Sequence, residues 1–459
     1  MAQMSESNVG PSSHGEKGSD LTGHKLTNGG SMAQVLPKEA IEFFGRMPDV
    51  ERDAIFELTK RYRAAHADFL AGKLAQKPIN LGIGAYADKS GNTPMMPTVA
   101  AVLRTIAEEK IAGATETKGL YLPILGFGPF IQGTENVVFG DALAQDLRAN
   151  SRLLSCQALG GTGGCFLQGA VLARAGAKSI YVSTPTWGNH LKIYGMTGLS
   201  VEKYPFFNST TSSVEQGKML SFLSTLAAGT PVSLHACCHN PTGAQLSGGE
   251  WEELSDLFAQ KGLVAVFDAA YAGFGESFDL DMQGVRTFAS KGIPMLLSFS
   301  YSKIASLYDE RVGAMSIVLP ESPNGSNAQL LERVKGNLEA AIRACYSNPP
   351  GTFTRVMGRI LNDPKLRTGW ESDRQSIADE IFHGGVLLAD CFEAKGIPSG
   401  NLRQRGGMFS MLPFSPEQVQ AIETDQRVFM LGNGRINRGA VNETNAQEIA
   451  NRVYEIWNR

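Results

Sequence analysis

Leu263-Val-Ala-Val-Phe-Asp-Ala-Ala-Tyr271 opens with five apolar residues and meets a carboxylate at Asp268. A short apolar run between Gly262 and a charged residue predicts a strand buried on both faces. Residues 179–183, 232–236 and 295–298 have the same texture, and amphipathic stretches separate these runs. Just upstream of 263, Ser247-Gly-Gly-Glu250 reads as a capping box, Trp251, Leu254, Leu257 and Phe258 make one helix face, and Gly262 stops it. Strand, helix, strand, repeated, predicts an α/β fold. Its large domain would hold a mostly parallel, doubly wound sheet, with ligands at the carboxyl ends of the strands.

Working outward, residues 51–74 read as a helix, with Ile55, Leu58, Tyr62 and Ala65 at helical spacing. Residues 1–34 are rich in Gly, Ser, Asn and Thr and nearly lack large apolar groups, so they are expected to be a disordered tail. From 375 onward, helical segments alternate with weaker strands. The expected division is therefore an N-terminal arm and first part of a small domain at 35–95, a large domain at 96–374, and the second part of a smaller α/β domain at 375–459.

Charge excludes some classes. Lys plus Arg is 42 and Asp plus Glu is 45, a formal charge of -3, which leaves no basic excess for nucleic acid or an anionic membrane. Six cysteines show no CxxC pair and no metal-ligand spacing. No metal is expected, and free thiols suit a reducing compartment. No long apolar run and no signal-like start are present, so a cytoplasmic protein is expected.

Gly160-Gly-Thr-Gly-Gly164 precedes a helix-like run at 165–175, where backbone N–H groups and a helix N-terminus would favour an anion. A dinucleotide fold would need an acid about 20 residues on to hold the ribose. No Asp or Glu lies between Gly164 and Val201. A phosphate without a ribose fits better. Met295 to Ser298 leads into Ser300-Tyr-Ser302-Lys303, with Arg311 eight residues later. Two hydroxyls and an Arg suit a phosphate, and a strand-end Lys suits Schiff-base chemistry. Taken singly, each feature also suits an ordinary turn or surface. Together with the strand-end Asp268 they suggest pyridoxal phosphate, which needs a Lys, an acid for its ring nitrogen and a phosphate cup.

Further blocks carry a resemblance: Leu81-Gly-Ile-Gly-Ala-Tyr86, Tyr121-Leu-Pro-Ile124, Pro185-Thr-Trp-Gly-Asn-His190, Leu234-His-Ala-Cys-Cys-His-Asn-Pro-Thr-Gly243, Tyr308-Asp-Glu-Arg-Val-Gly313, Tyr346-Ser-Asn-Pro-Pro350 and Gly434-Arg-Ile-Asn437. With the blocks above, the chain from about residue 40 to its end resembles the aspartate and aromatic amino-acid aminotransferases, fold-type I pyridoxal-phosphate enzymes.

The resemblance assigns roles. Lys303 would bond the cofactor and shuttle a proton. Asp268 would pair with the ring nitrogen, and Tyr271 and Asn240 with the phenolic oxygen. Trp187 would stack on the ring, with His190, and more weakly His235, behind Asp268. Gly161, Thr162, Ser300, Ser302 and Arg311 would form the phosphate cup, and Tyr121 would reach in from a neighbouring subunit. Arg435 would clamp the α-carboxylate, Arg343 of the other subunit would read a side-chain carboxylate, and Gly84 would lie close to substrate.

There are departures from the usual pattern. Gly160 stands where many relatives have Ser, and Ile304 where Asn is usual. Arg438 adds a charge that either alters the carboxylate pocket or faces solvent. The resemblance implies a homodimer with shared active sites that moves an amino group from L-aspartate to 2-oxoglutarate. The alternative is an aromatic or broad-specificity aminotransferase acting on tyrosine or phenylalanine.

Overall fold

The computed structural model describes residues 43–50, 52–88, 91–114, 120–322 and 327–459. The tail expected at 1–34, and its boundary with the next segment, lie outside the described residues. The chain divides into two units, Met1–Glu51 and Arg52–Arg459. Of the first, residues 43–45 form a helical turn.

In the second unit the central sheet has seven strands: β1 (Leu153–Leu159), β2 (Ser179–Thr184), β3 (Ser200–Pro205), β4 (Pro231–His235), β5 (Val264–Ala269), β6 (Met295–Ser300) and β7 (Val312–Val318). Their order is β1-β7-β6-β5-β4-β2-β3. β7 alone runs opposite to the other six strands. The chain therefore leaves β1, β2, β4, β5 and β6, and enters β7, at one edge. The alternation of period two explains how the apolar runs are used. Ala265 and Phe267 join one core layer while Val266 joins the other, and Met295, Leu297 and Phe299 likewise oppose Leu296.

The strand ladders run past the apolar letters. β5 keeps pairing with β6 through Asp268 and Ala269, and β6 with β7 through Ser300, which holds Asp268 and Ser300 rigidly at the sheet edge. The helix expected at 165–175 begins at Gly160 instead. Small residues let its first turns press on β6: a Cβ on Gly164 would sit 2.3 Å from Ser298 Oγ. The capping box of Ser247 and Glu250 and the left-handed Gly262 end-cap form as expected. The helix expected at 51–74 is shorter, Ala54–Leu70. Asp53 caps its first amides, and Gly72 at φ +71° turns the chain away at the other end.

A second core gathers Leu81 with Leu388, Phe392, Val428, Ile436 and Ile449. Ile79–Asn80 pairs in parallel with Val428–Phe429, which ties the early segment to the late one. The helix Pro364–Glu393 passes unbroken through residue 375. Its Ile377, Ala378 and Ile381 pack in the larger core, and its Leu388, Ala389 and Phe392 in the second.

Candidate active site

Where the strands end, a cleft opens. Gly84, Gly161, Thr162, Trp187, Asn240, Asp268, Tyr271, Ser300, Ser302, Lys303, Arg311 and Arg435 all line it. Twelve of the expected residues, spread over some 350 positions of sequence, thus meet in one place.

Asp268 sits on its floor, 5% exposed. His190 Nε2 lies 3.3 Å from Asp268 Oδ2, while Oδ1 is buried without a partner. Burial, the largest influence, would raise this carboxyl, but His190, His235 and Lys303 together outweigh it and hold it below the usual range. It is ionised at neutral pH. Thr186 Oγ1 lies 2.9 Å from His190 Nδ1 and 3.4 Å from His235 Nε2. His235 is pushed well below its ordinary value by burial and by the neighbouring His239 and His190. His239, which sequence reading did not single out, is pushed down to about 3, chiefly by burial. It is fastened by Ser183 and Thr242, each at 2.9 Å. The fold also brings the Cys165 thiol within 4.8 Å of His190 and Asp268, a grouping invisible in sequence spacing. Burial and Asp268 raise that thiol well above its usual value, so it stays protonated.

One wall is an anion cup. The helix Gly160–Arg174 has neither a side-chain cap nor an acid in its first turn, so its amide end is left for a ligand. Gly160 stands at φ +66°, and a Cβ there would be 2.7 Å from Arg311 Nη2, so a bare backbone admits the guanidinium. Arg311 Nη1 donates to Tyr308 O at 2.7 Å and to Ser302 Oγ at 3.4 Å. Lys303 Nζ lies 5.2 Å from the Tyr271 ring centre. Burial lowers its pKa, and Arg311 and Arg435 lower it further against the pull of Asp268. Tyr271 is buried, which raises its hydroxyl far above the usual value.

Arg435 forms the opposite wall, 3% exposed, on the strand Arg435–Asn437. It donates to Asn240 Oδ1 and to Gly82 O, both at 3.3 Å, and its Nε has no partner. Phe409 lies beneath the guanidinium at 4.1 Å. Burial pushes Arg435 down to about 10, so it remains charged at neutral pH. Asn437 donates to Ile83 O and Ala85 O, which brackets Gly84 at the cleft.

Two expected residues are elsewhere. Tyr121 is 91% exposed. Arg343 is exposed and donates to Ser347 Oγ and Asn348 Oδ1. Asn348 also donates to Leu122 O, so the two lie near each other and outside this chain's cleft. Arg438 does not face solvent: it is 1% exposed, with its guanidinium on the carbonyls of Gln404 and Gly407. Ile304 is buried, and its carbonyl accepts from Trp370 Nε1 at 2.8 Å.

Sequence reading missed Ile55, Ala270 and Phe409 in the lining. Ile55 shares the helical spacing of Leu58, Tyr62 and Ala65, yet it lines the cleft. Phe409 sits on a three-residue strand with no periodic signal.

A sequence model of the aminotransferase class I and II family matches residues 76–453. A tyrosine aminotransferase of Klebsiella pneumoniae is 35% identical over 375 residues, covering 81% of this chain and 91% of its own. An aspartate aminotransferase of Pseudomonas aeruginosa is 34% identical over 420 residues, covering 91% and 100%. A crystal structure of an aromatic-amino-acid aminotransferase from Burkholderia pseudomallei, covalently bound to pyridoxal phosphate, superposes with a TM-score of 0.81 at 32% identity, covering 90% of this chain and 99% of that one. The chain belongs to the class I and II aminotransferase family.

Proposed function

We propose that this chain transfers the amino group of L-aspartate to 2-oxoglutarate, giving oxaloacetate and L-glutamate, with pyridoxal 5′-phosphate as cofactor. One observation carries the cofactor assignment. A buried, ionised carboxylate leaves Oδ1 unpaired at the floor of a cleft that also holds an anion cup and a lysine. Such an oxygen is costly to bury unless a ligand N–H meets it. Asp268 would hold the proton on the ring nitrogen, with His190 and Thr186 fixing its angle. Gly161, Thr162, Ser300, Ser302 and Arg311 would take the phosphate, Tyr271 and Asn240 the phenolic oxygen, and Trp187 the ring face.

When bound, the cofactor supplies an electron-accepting ring that makes the substrate's α-proton removable. Lys303, with its lowered pKa, is the base that moves this proton. Arg435 offers its free Nε side to the α-carboxylate, a planar match that Lys could not copy. Gly84, lacking a side chain, leaves room beside it. The keto product leaves before the second substrate binds, a ping-pong cycle.

We further infer a homodimer with shared sites. Tyr121 and Arg343, placed together outside this chain's cleft, would serve the cleft of a second copy, Arg343 reading the side-chain carboxylate. The smaller domain is taken as 35–95 with 375–459, the larger as 96–374; the separate second core supports two domains. A cytoplasmic location is consistent with the free cysteines. Among the described residues no helix is long and apolar enough to cross a membrane. A second reading, aromatic or broad specificity, is favoured by Ile55 and Phe409, which give the cleft apolar walls.

Measuring kcat/KM for aspartate, glutamate, tyrosine and phenylalanine with 2-oxoglutarate decides between the two. A preference for tyrosine and phenylalanine would overturn the aspartate reading. Mixing Lys303→Ala and Arg343→Ala chains after dissociation tests the shared site: one of two sites per heterodimer becomes intact, so aspartate activity returns. No recovery in heterodimers verified by mass would refute it.

A further inference from the structure

Arg438 has no part in the chemistry above, yet the fold makes room for it at some expense. Burial pushes it down to about 10, so it is still charged at neutral pH, and its Nε lacks a partner. Among the described residues no carboxylate pairs with it; Nη1 donates to Gln404 O and Nη2 to Gly407 O. Space for its stem comes from Gly385 in the helix Pro364–Glu393, where a Cβ would stand 2.8 Å from Arg438 Cδ.

The two carbonyls it holds flank a segment pressed on the Asn240 loop. Between them, Arg405 O accepts from Gln245 Nε2 at 2.9 Å. A Cβ on Gly406 would be 1.8 Å from Gly243 O, and one on Gly407 would be 2.5 Å from Cys238 Cβ. Two residues later, Phe409 lies under Arg435, and Asn240 meets that same guanidinium. Arg438 itself lines no part of the cleft.

We propose that Arg438 is a positioning residue for substrate: by pinning the carbonyls of Gln404 and Gly407 it holds residues 404–409 against residues 238–245, and so fixes Phe409 and Asn240 around the Arg435 guanidinium. This rests on reading Arg435 as the α-carboxylate site. Arg438→Met keeps most of the volume but removes both donors. Arg438→Lys offers a compact point charge that cannot span two carbonyls as a planar fork does.

In the cofactor-loaded enzyme, Arg438→Met should raise KM for the amino donor roughly tenfold while kcat stays within about threefold, the pattern of lost binding common to ground and transition states. Arg438→Lys should fall between. Gln245→Ala loosens the same segment from the other side. Combined with Arg438→Met, or with Arg438→Lys should the Met variant not fold, it should cost less than the product of the two single effects, because one segment can be freed only once. Hydrogen exchange should quicken in residues 404–411 of the Arg438 variants and stay unchanged in residues 156–165. Unchanged KM with only thermal stability lost, kcat and cofactor content falling at constant KM, or independent effects in the double variant would each overturn the proposal. A wild-type protein without transaminase activity would instead overturn the functional reading, and exchange at 404–411 would then decide the inference alone.

Discussion

The two ends of the cleft are built differently. At the floor and the anion cup, Asp268 and Ser300 stand at the ends of six-residue strands in the middle of the sheet, and Gly161 opens the helix that follows the seven-residue edge strand β1. At the arginine end, Arg435 and Phe409 ride on two paired three-residue strands, and their neighbours come from loops at 82–85, 238–245 and 404–407. Polar satisfaction differs too. Among the described residues, the arginine end leaves Arg435 Nε, Arg438 Nε, Asn401 Oδ1 and Ser410 Oγ buried without a hydrogen-bond partner, while the floor leaves Asp268 Oδ1 so and gives His190 Nε2 only its 3.3 Å contact with Asp268 Oδ2. A long ladder fixes the groups proposed to react, whereas short strands and loops hold those proposed to choose what enters.

The comparison predicts that lesions at the sheet end remove chemistry, whereas lesions at the other end redistribute substrates. Lys303→Ala should show the largest effect, a loss of multiple turnover together with the visible absorbance of a lysine-bound cofactor, since nucleophile and proton carrier go together. Turnover at the wild-type rate would take this residue out of the mechanism.

Asp268→Ala comes next. Cofactor occupancy should survive through the intact anion cup, while kcat falls by roughly 10²–10⁴, the range for a positioned proton-holding group. A cofactor-saturated variant with near-normal kcat would mean that the floor carboxylate does not tune the ring.

In the proposed shared site, where Arg343 would serve the cleft of a second copy, Arg343→Ala should reduce kcat/KM for aspartate much more than for phenylalanine, by about 1.5–3 kcal/mol, the contribution of a charge-assisted bond. Equal losses for both substrates would show that Arg343 does not read the side chain, and the distinction between the ends would blur.

Asp281 sits between the two ends and should have the smallest effect on activity. Its Oδ2 accepts from Gly273 N at 2.7 Å and Gly275 N at 2.9 Å, which holds the turn after Tyr271. Burial pushes it up to about 6. The folded state therefore binds this proton more tightly than the unfolded chain does, and the stabilisation present below the ordinary carboxylate value is lost as pH rises through about 6. Asp281→Asn, which does not titrate, should gain stability relative to wild type in urea unfolding between about pH 4 and 7. His239, pushed down to about 3, acts in the opposite sense and destabilises the folded state as pH falls below its ordinary value. A constant difference between the Asn variant and wild type across that range would show that Asp281 is not perturbed.

Legibility followed the same divide. The sheet end was readable because each of its groups follows a continuous apolar run, so strand and strand-end residue are written side by side at 263–271 and 295–303. The exact ends were not, since β5 goes on pairing with β6 through Asp268, and β6 with β7 through Ser300, on hydrogen bonds that no hydropathy pattern registers. The arginine end was found only by resemblance. Phe409 went unnoticed, and Arg438 was left between two roles.

By itself the sequence determined the alternating α/β order, the capped helix before Gly262, and which residue types could do the chemistry. These follow from local spacing, from the period of side chains along a strand or helix and from the chemistry of a cap. Only the tertiary structure decided that Ile55 leaves its helical stripe to line the cleft, that Tyr121 and Arg343 lie outside it, and that Arg438 is buried under Gly385 on two carbonyls. Those facts depend on backbone segments tens to hundreds of positions apart coming within hydrogen-bonding reach, and no local pattern encodes a contact whose partners are set by how whole elements pack.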